Sequence, residues 1–234
     1  MPKIAQQLST VLQRIADAAT NAGRQPGDIQ LLAVSKTRPA EDLLNAIEAG
    51  QTRFGENYLQ EALDKIARVK TISTQACEWH FIGPCQSNKT AALAQHFDWV
   101  HSVDRLKIAQ RLSDQRLNRT DHGIAPLNLL LQINTSGEQS KSGIAPEQLE
   151  SLAEEVKKLP GITLRGLMTI PAASNDLDQQ RRPFRLLKQL FDKLNDKGYG
   201  LDTLSMGMSN DLEAAIMEGA TIVRIGTAIF GTRK

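Results

Sequence analysis

Cysteine is scarce: Cys77 and Cys85 are the two in 234 residues, too few for a disulfide framework. Reduced thiols in a cytoplasmic protein are expected. Aromatic residues make up only 4% of the chain, which argues against stacking platforms for single-stranded nucleic acid. No run approaches the ~18 apolar residues of a membrane span. The opening segment, MPKIAQQLSTVLQRIADAAT, lacks the apolar core of a signal peptide. Without such a signal, the glycosylation-type triplets at Asn118 and Asn134 carry no meaning. A net charge of +2 implies no polyanion partner. His80, His96, His101 and His122 show neither HxH nor HExxH spacing, so no metal centre is expected.

What is present is ordinary globular composition, 41% hydrophobic and 23% charged. Ile4, Leu8, Val11, Leu12 and Ile15 recur at helical spacing and predict an amphipathic first helix. Eight strand-like runs follow: 29–35, 53–57, 79–83, 99–103, 127–134, 162–170, 203–207 and 221–225. Helix-like stretches separate them, at 39–49, 58–69, 89–95, 105–117, 146–159, 178–194 and 210–218, with Pro183 blurring the start of the sixth. Gly50 and Gly219 sit where glycine closes a helix. Eight strand–helix units in this length predict a (β/α)8 barrel with an extra N-terminal helix, one domain over residues 1–234. The rival is an open doubly wound sheet, but no glycine-rich nucleotide fingerprint follows the first strand. The polar segment Thr135–Gly143 reads as a mobile loop, and its Lys141 as a solvated residue.

In such barrels the chemistry gathers at the C-terminal ends of the strands. These ends carry Lys36, Asn57, Gly83, Asp104, Asn134, Met168, Ser209 and the segment 224–227. The stretch GPCQSNKT (83–90) approaches a Walker A loop but falls short. Pro84 deletes a backbone N–H, and Asn88 stands where a second glycine belongs. Ser87 or Asn88 is expected instead to cap the next helix.

Lys36 follows an apolar strand. It is either a solvated end residue or a nucleophilic amine, since loss of hydration favours the neutral form. Ser209 at a helix start and Gly226–Thr227 after the last strand could be ordinary turn residues. They could also receive a phosphate, the common use of the seventh and eighth loops in barrels. An amine facing a phosphate seat suits an aldehyde-bearing phosphate such as pyridoxal phosphate. In IVRIG, Arg224 shares its side of the strand with Ile222 and Gly226. A buried guanidinium needs a partner, either a core carboxylate such as Glu56 or Glu213, or a ring nitrogen of a bound group.

The segments LLAVSKTRPA, RFGENYLQEALDK, WHFIGPCQSNK, LLLQINTSGEQSKSG, RGLMTIP, LSMGMSNDLEAAI and VRIGTAIFG together resemble the pyridoxal phosphate homeostasis family, over essentially the whole chain. The resemblance implies a barrel like the N-terminal domain of bacterial alanine racemase, with pyridoxal 5′-phosphate as cofactor. It implies the Schiff base on Lys36 and the phosphate on Ser209, Gly226 and Thr227. It places Arg224 at the ring nitrogen and Asn57 and Met168 on the pocket lining. It further implies vitamin B6 homeostasis without efficient catalysis, with cofactor-requiring apo-enzymes as recipients and a monomer as the working form. With Lys234 just past the last strand, the second racemase domain and its tyrosine are not expected. Tyr58 and Tyr199 are the two tyrosines present. The alternatives are a low-activity amino-acid racemase and a cofactor-free Schiff-base aldolase.

Overall fold

The computed structural model describes residues 3–118, 125–138 and 141–232. Eight strands form one closed parallel barrel: β1 Gln30–Val34, β2 Arg53–Glu56, β3 Glu78–Phe81, β4 Trp99–Val103, β5 Leu127–Gln132, β6 Ile162–Met168, β7 Thr203–Ser205 and β8 Ile222–Ile225. Each strand pairs with the next in the sequence. β8 closes on β1 with Leu32 opposite Arg224. The open sheet is therefore excluded.

Helix α1 (Lys3–Asn21) precedes the barrel. The crossovers are α2 (Ala40–Glu48), α3 (Leu59–Ile72), α4 (Thr90–His96), α5 (Leu106–Leu117), α6 (Leu149–Lys157), α7 (Leu177–Asp196) and α8 (Leu212–Met217), and a short α9 (Thr227–Phe230) follows β8. No described helix is long and apolar enough to cross a membrane. Leu8, Val11 and Ile15 of α1 are buried, where the helix packs on α2, α8 and α9. Leu12, expected on the same face, stands at the edge of the stripe and is 47% exposed.

Alternate residues along the strands serve two cores. One set, including Leu31, Ala33, Phe54, Phe81, Leu129, Leu131, Val223 and Ile225, belongs to the large layer shared with the helices. The other set fills the barrel. Leu32, Val34, Ile82 and Ile222 form one small cluster, and Trp99, Leu130 and Met168 another. Polar side chains share this space: His80, His101, Ser205 and Arg224 are all buried.

The local expectations need four corrections. Helix α8 begins at Leu212 with Asp211 at its cap, so Ser209 lies in the loop before it rather than at a helix start. Helix α6 begins at Leu149, because Pro146–Gln148 form a separate 3-10 turn. Neither Ser87 nor Asn88 caps α4. The hydroxyl of Thr90 donates instead to the Ser87 carbonyl at 2.9 Å. Pro183 lies inside α7 rather than at its boundary. Asp176 starts that helix by accepting from the Gln179 N–H at 2.8 Å, so the helix is set ahead of the proline, which forgoes one i→i−4 bond.

Candidate functional site

A cavity of about 590 Å³ opens at the C-terminal end of the barrel, bordered by residues that follow β1, β2, β6, β7 and β8. Six of the seven expected site residues line it: Lys36, Asn57, Ser209, Arg224, Gly226 and Thr227. Met168 does not reach its wall and is fully buried against Trp99 and Leu130. Tyr58 is 52% exposed and lies outside the wall. Lys141 is also outside it; residues 139 and 140 of that loop lie outside the described residues. The base of the loop is tied down, since Asn134 Nδ2 donates to the Glu138 carbonyl at 2.8 Å and the Thr135 and Thr169 hydroxyls are bonded at 2.8 Å.

Lys36 is placed by its two neighbours. Ser35 N donates to the Gly55 carbonyl at 3.0 Å, extending the β1–β2 ladder by one residue. Behind the strand lies a buried ionic cluster. Lys65 of α3, 5% exposed, donates to the Ser35 carbonyl (2.7 Å), to Glu56 Oε1 (2.8 Å) and to Glu61. The Ser35 hydroxyl donates to the same Glu56 oxygen at 2.6 Å, while Glu56 Oε2 is buried without a partner. Burial pushes the Glu56 carboxyl above its usual range, against the pull of Lys65. On the other side of Lys36, the Thr37 N–H donates to Glu61. Thr37 is the one non-glycine described residue at positive φ, 62°. Such a conformation costs about 1 kcal/mol or more for a β-branched residue and persists only where the surroundings hold it. Glu61 supplies that hold, and the backbone turns Lys36 toward the cavity.

Arg224 forms part of the cavity wall from inside the barrel. Its Nη1 donates to Ser205 Oγ at 2.8 Å and its Nη2 to the Thr169 carbonyl at 2.8 Å. Burial brings its pKa down to about 10, so it remains a cation at neutral pH. The two carboxylates considered as its partners are engaged elsewhere, the buried Glu56 with Lys65 and the half-exposed Glu213 with Arg14. Asn57 Oδ1 is buried without a partner. It is held in place because Gly83 packs directly on the Asn57 carbonyl, where a Cβ would come within 2.1 Å. Gly226 lies against Val34, where a Cβ would stand 3.0 Å from the Val34 carbonyl oxygen.

Two cations at the mouth escaped the sequence reading. Arg14, on α1, bonds Glu213 (2.7 Å) and the Ser209 carbonyl (2.8 Å). Arg38 reaches the carbonyls of Gly231 and Thr232. Both line the cavity. No local signal marks Arg14, whose partners lie some two hundred residues away in the chain. Arg38 stands two residues after Lys36, and its proximity in KTRPA was the available hint. Asp211 is the carboxylate of the wall; burial raises its pKa, and it accepts from Met208 N at 2.6 Å.

An amine, a buried guanidinium with donors to spare, an orphaned amide oxygen and a cationic rim fit a small, flat, phosphorylated aldehyde. The model of the alanine racemase N-terminal domain family matches residues 7–234. The chain is 58% identical to the pyridoxal phosphate homeostasis protein of Pseudomonas aeruginosa, over 100% of this chain and 97% of that one. It is 52% identical to the protein of that name in Escherichia coli, over 100% and 98%. The chain belongs to the pyridoxal phosphate homeostasis family. Among solved structures it is similar to PipY of Synechococcus elongatus with pyridoxal phosphate bound, with TM-score 0.81 and 33% identity over 97% of this chain and 100% of that one. The family barrel thus carries a polar wall built from strand ends distant in sequence.

The cluster behind Lys36 generates a stability prediction. Lys65→Met should destabilise the fold by about 3–5 kcal/mol at neutral pH, because it strands the Glu56 charge in the core. A carboxyl whose folded pKa is raised holds its proton more tightly when folded, so folding loses stability as pH rises through that range. The deficit of Lys65→Met should therefore shrink as pH falls toward 5. Urea titrations at pH 5 and pH 8 check this, and an equal deficit at both would refute the role assigned to Glu56.

Proposed function

We propose that this chain binds pyridoxal 5′-phosphate as a Schiff base on Lys36 and holds it for delivery to cofactor-requiring apo-enzymes, without efficient turnover of its own. The observation that carries the reading is that Lys36 and the buried Arg224 line one cavity together with Ser209, Gly226 and Thr227. The cofactor seen in PipY and the names of the relatives in Pseudomonas and Escherichia support it. When bound, the group supplies an aldehyde carbon for the amine and a conjugated ring that takes up electrons.

The residues divide the work by chemistry. Ser209 and Thr227 offer hydroxyls to the phosphate, and Gly226 leaves room for it beside the backbone. Arg14 and Arg38 give the mouth positive charge that attracts a dianion. Asn57 Oδ1 is an acceptor for a donor on the ligand. Arg224 has only donors, so it favours an unprotonated ring nitrogen and a weaker electron sink than a carboxylate partner would give. A racemase needs an acid–base group on each face of the substrate α-carbon. Lys36 could serve one face. Tyr58 is exposed outside the wall and Asp211 is bonded to Met208 N, which supports a binding role over racemisation.

Three outcomes follow from this reading. Borohydride reduction of the loaded protein, followed by peptide mass analysis, should place the pyridoxyl label on Lys36; a label mainly on another lysine would refute the assignment. Unphosphorylated pyridoxal should bind about a hundredfold more weakly than its phosphate by equilibrium dialysis, since at least two charge-assisted hydrogen bonds are lost. Gly226→Val should narrow that difference, and equal affinities in the unaltered protein would remove the phosphate seat. Deuterium wash-in at the α-carbon of common amino acids, followed by NMR, should be at most trace. Exchange at enzyme-like rates that Lys36→Ala abolishes would establish the racemase alternative.

A further inference from the structure

A continuous line of hydrogen bonds crosses the barrel interior from the N-terminal end of β3 to Arg224. Glu78 Oε1 and His80 Nε2 are 2.7 Å apart, His80 Nδ1 and His101 Nε2 2.9 Å, and His101 Nδ1 and Ser205 Oγ 2.9 Å. Arg224 Nη1 completes it at 2.8 Å from Ser205 Oγ. Both histidines are fully buried. Glu78 is 38% exposed and also pairs with Arg53 at 3.3 Å.

The direction of every proton in this line can be worked out. The bond from His80 holds the Glu78 carboxyl below its usual range, so at neutral pH it is an ionised acceptor. Burial lowers the pKa of His80. It lowers that of His101 further, with the neighbouring His80 and Arg224 adding to the effect. Both rings are therefore neutral, with one N–H each. His80 must donate from Nε2 to Glu78, which leaves its Nδ1 an acceptor. His101 must then donate from Nε2 to that nitrogen, leaving its own Nδ1 an acceptor. Ser205 must donate its hydroxyl proton to His101, so its oxygen can only accept from Arg224. One arrangement satisfies all four bonds, with a cation at one end and a carboxylate at the other.

We propose that Glu78, His80, His101 and Ser205 are positioning residues that fix the Arg224 guanidinium as a donor toward the cavity and so select a ligand with an unprotonated ring nitrogen. The inference rests on the reading of the cavity as a pyridoxal phosphate site. Arg224 has five N–H groups. Ser205 and Thr169 take one each from the two terminal nitrogens, which anchors the plane of the guanidinium and leaves the others for a ligand. With the Ser205 proton committed to His101, the hydroxyl cannot rotate, and a lone pair stays turned to Arg224 Nη1.

The test has two arms. In the first, nitrogen-15 NMR of the ligand-free protein reads the tautomers directly. Both His80 and His101 should be Nε2–H forms throughout pH 6–8, and Glu78→Gln, whose amide can donate, should move His80 toward the Nδ1–H form. An Nδ1–H form of His101 in the unaltered protein would overturn the proposal. In the second, retention of pyridoxal phosphate is compared with that of its 1-deaza analogue, in which a C–H replaces the ring nitrogen. The unaltered protein should prefer the natural compound by about ten- to a hundredfold, the range of one hydrogen bond to a charged group. His101→Phe should bring the ratio close to one while borohydride still fixes the label on Lys36. His101→Gln, able to accept from Ser205 and donate to His80, should keep most of the preference. An unchanged ratio in His101→Phe, with Lys36 still labelled, would overturn the positioning role alone. Failure of the unaltered protein to retain either compound would overturn the cofactor reading itself.

Discussion

A guanidinium inside a closed barrel of apolar strands cannot stand without partners, because transferring an unpaired charge from water to such an interior costs several kcal/mol. Arg224 is 3% exposed, and the residues around it answer that cost. Thr169 offers a carbonyl and Ser205 a hydroxyl oxygen. Ser205 accepts from Arg224 while its own proton is held by His101, whose Nε2–H is held in turn by His80. The negative end of the line is Glu78, at the opposite mouth. The barrel interior is thus half hydrocarbon and half a directed polar thread, and the thread ends on the cavity wall.

The two lysines near the first strand show how similar residues acquire different duties. Lys65 comes from a crossover helix and is buried among Ser35, Glu56 and Glu61. Its charge is consumed by structure. Lys36 stands two residues past the end of β1 and lines the cavity. The first fixes the second: Lys65 grips the backbone before Lys36, and Glu61, which Lys65 also holds, grips the backbone after it. The strained φ of Thr37 lies inside this clamp. Strain of that kind, beside a cavity, is where folds commonly spend stability on geometry.

The cavity combines features suited to holding a cofactor. Its rim is cationic, its wall carries an amine, and its buried cation can donate but not accept. On the proposed reading, a donor at the ring nitrogen would lower the ring's capacity to stabilise a carbanion, while an amine and a phosphate seat would suffice for retention. Holding requires fewer groups than turnover, and the described wall is economical in acids and bases.

Much of this was legible in the chain. Strand–helix alternation determined the barrel, because a parallel strand can be reached only by a crossover and eight such units close on themselves. Six of the expected residues line the cavity, because they stand at or near strand ends, where a barrel opens. The period of two that put Arg224 with Ile222 also held. Met168 is buried below the cavity wall, since a strand end with a register shift nearby does not reveal how deep its side chain sits. Tertiary structure alone decided the rest. Arg14 reached the mouth because α1 packs beside α8, a contact no local pattern encodes. His80 and His101 read as unrelated histidines without metal spacing. They are hydrogen-bonded because β3 and β4 are neighbours in a closed sheet, whose register sets His80 opposite Trp99 and so within reach of His101 two residues on. Sequence periodicity specifies which side of a strand a residue takes. Only barrel closure specifies which residue it meets there.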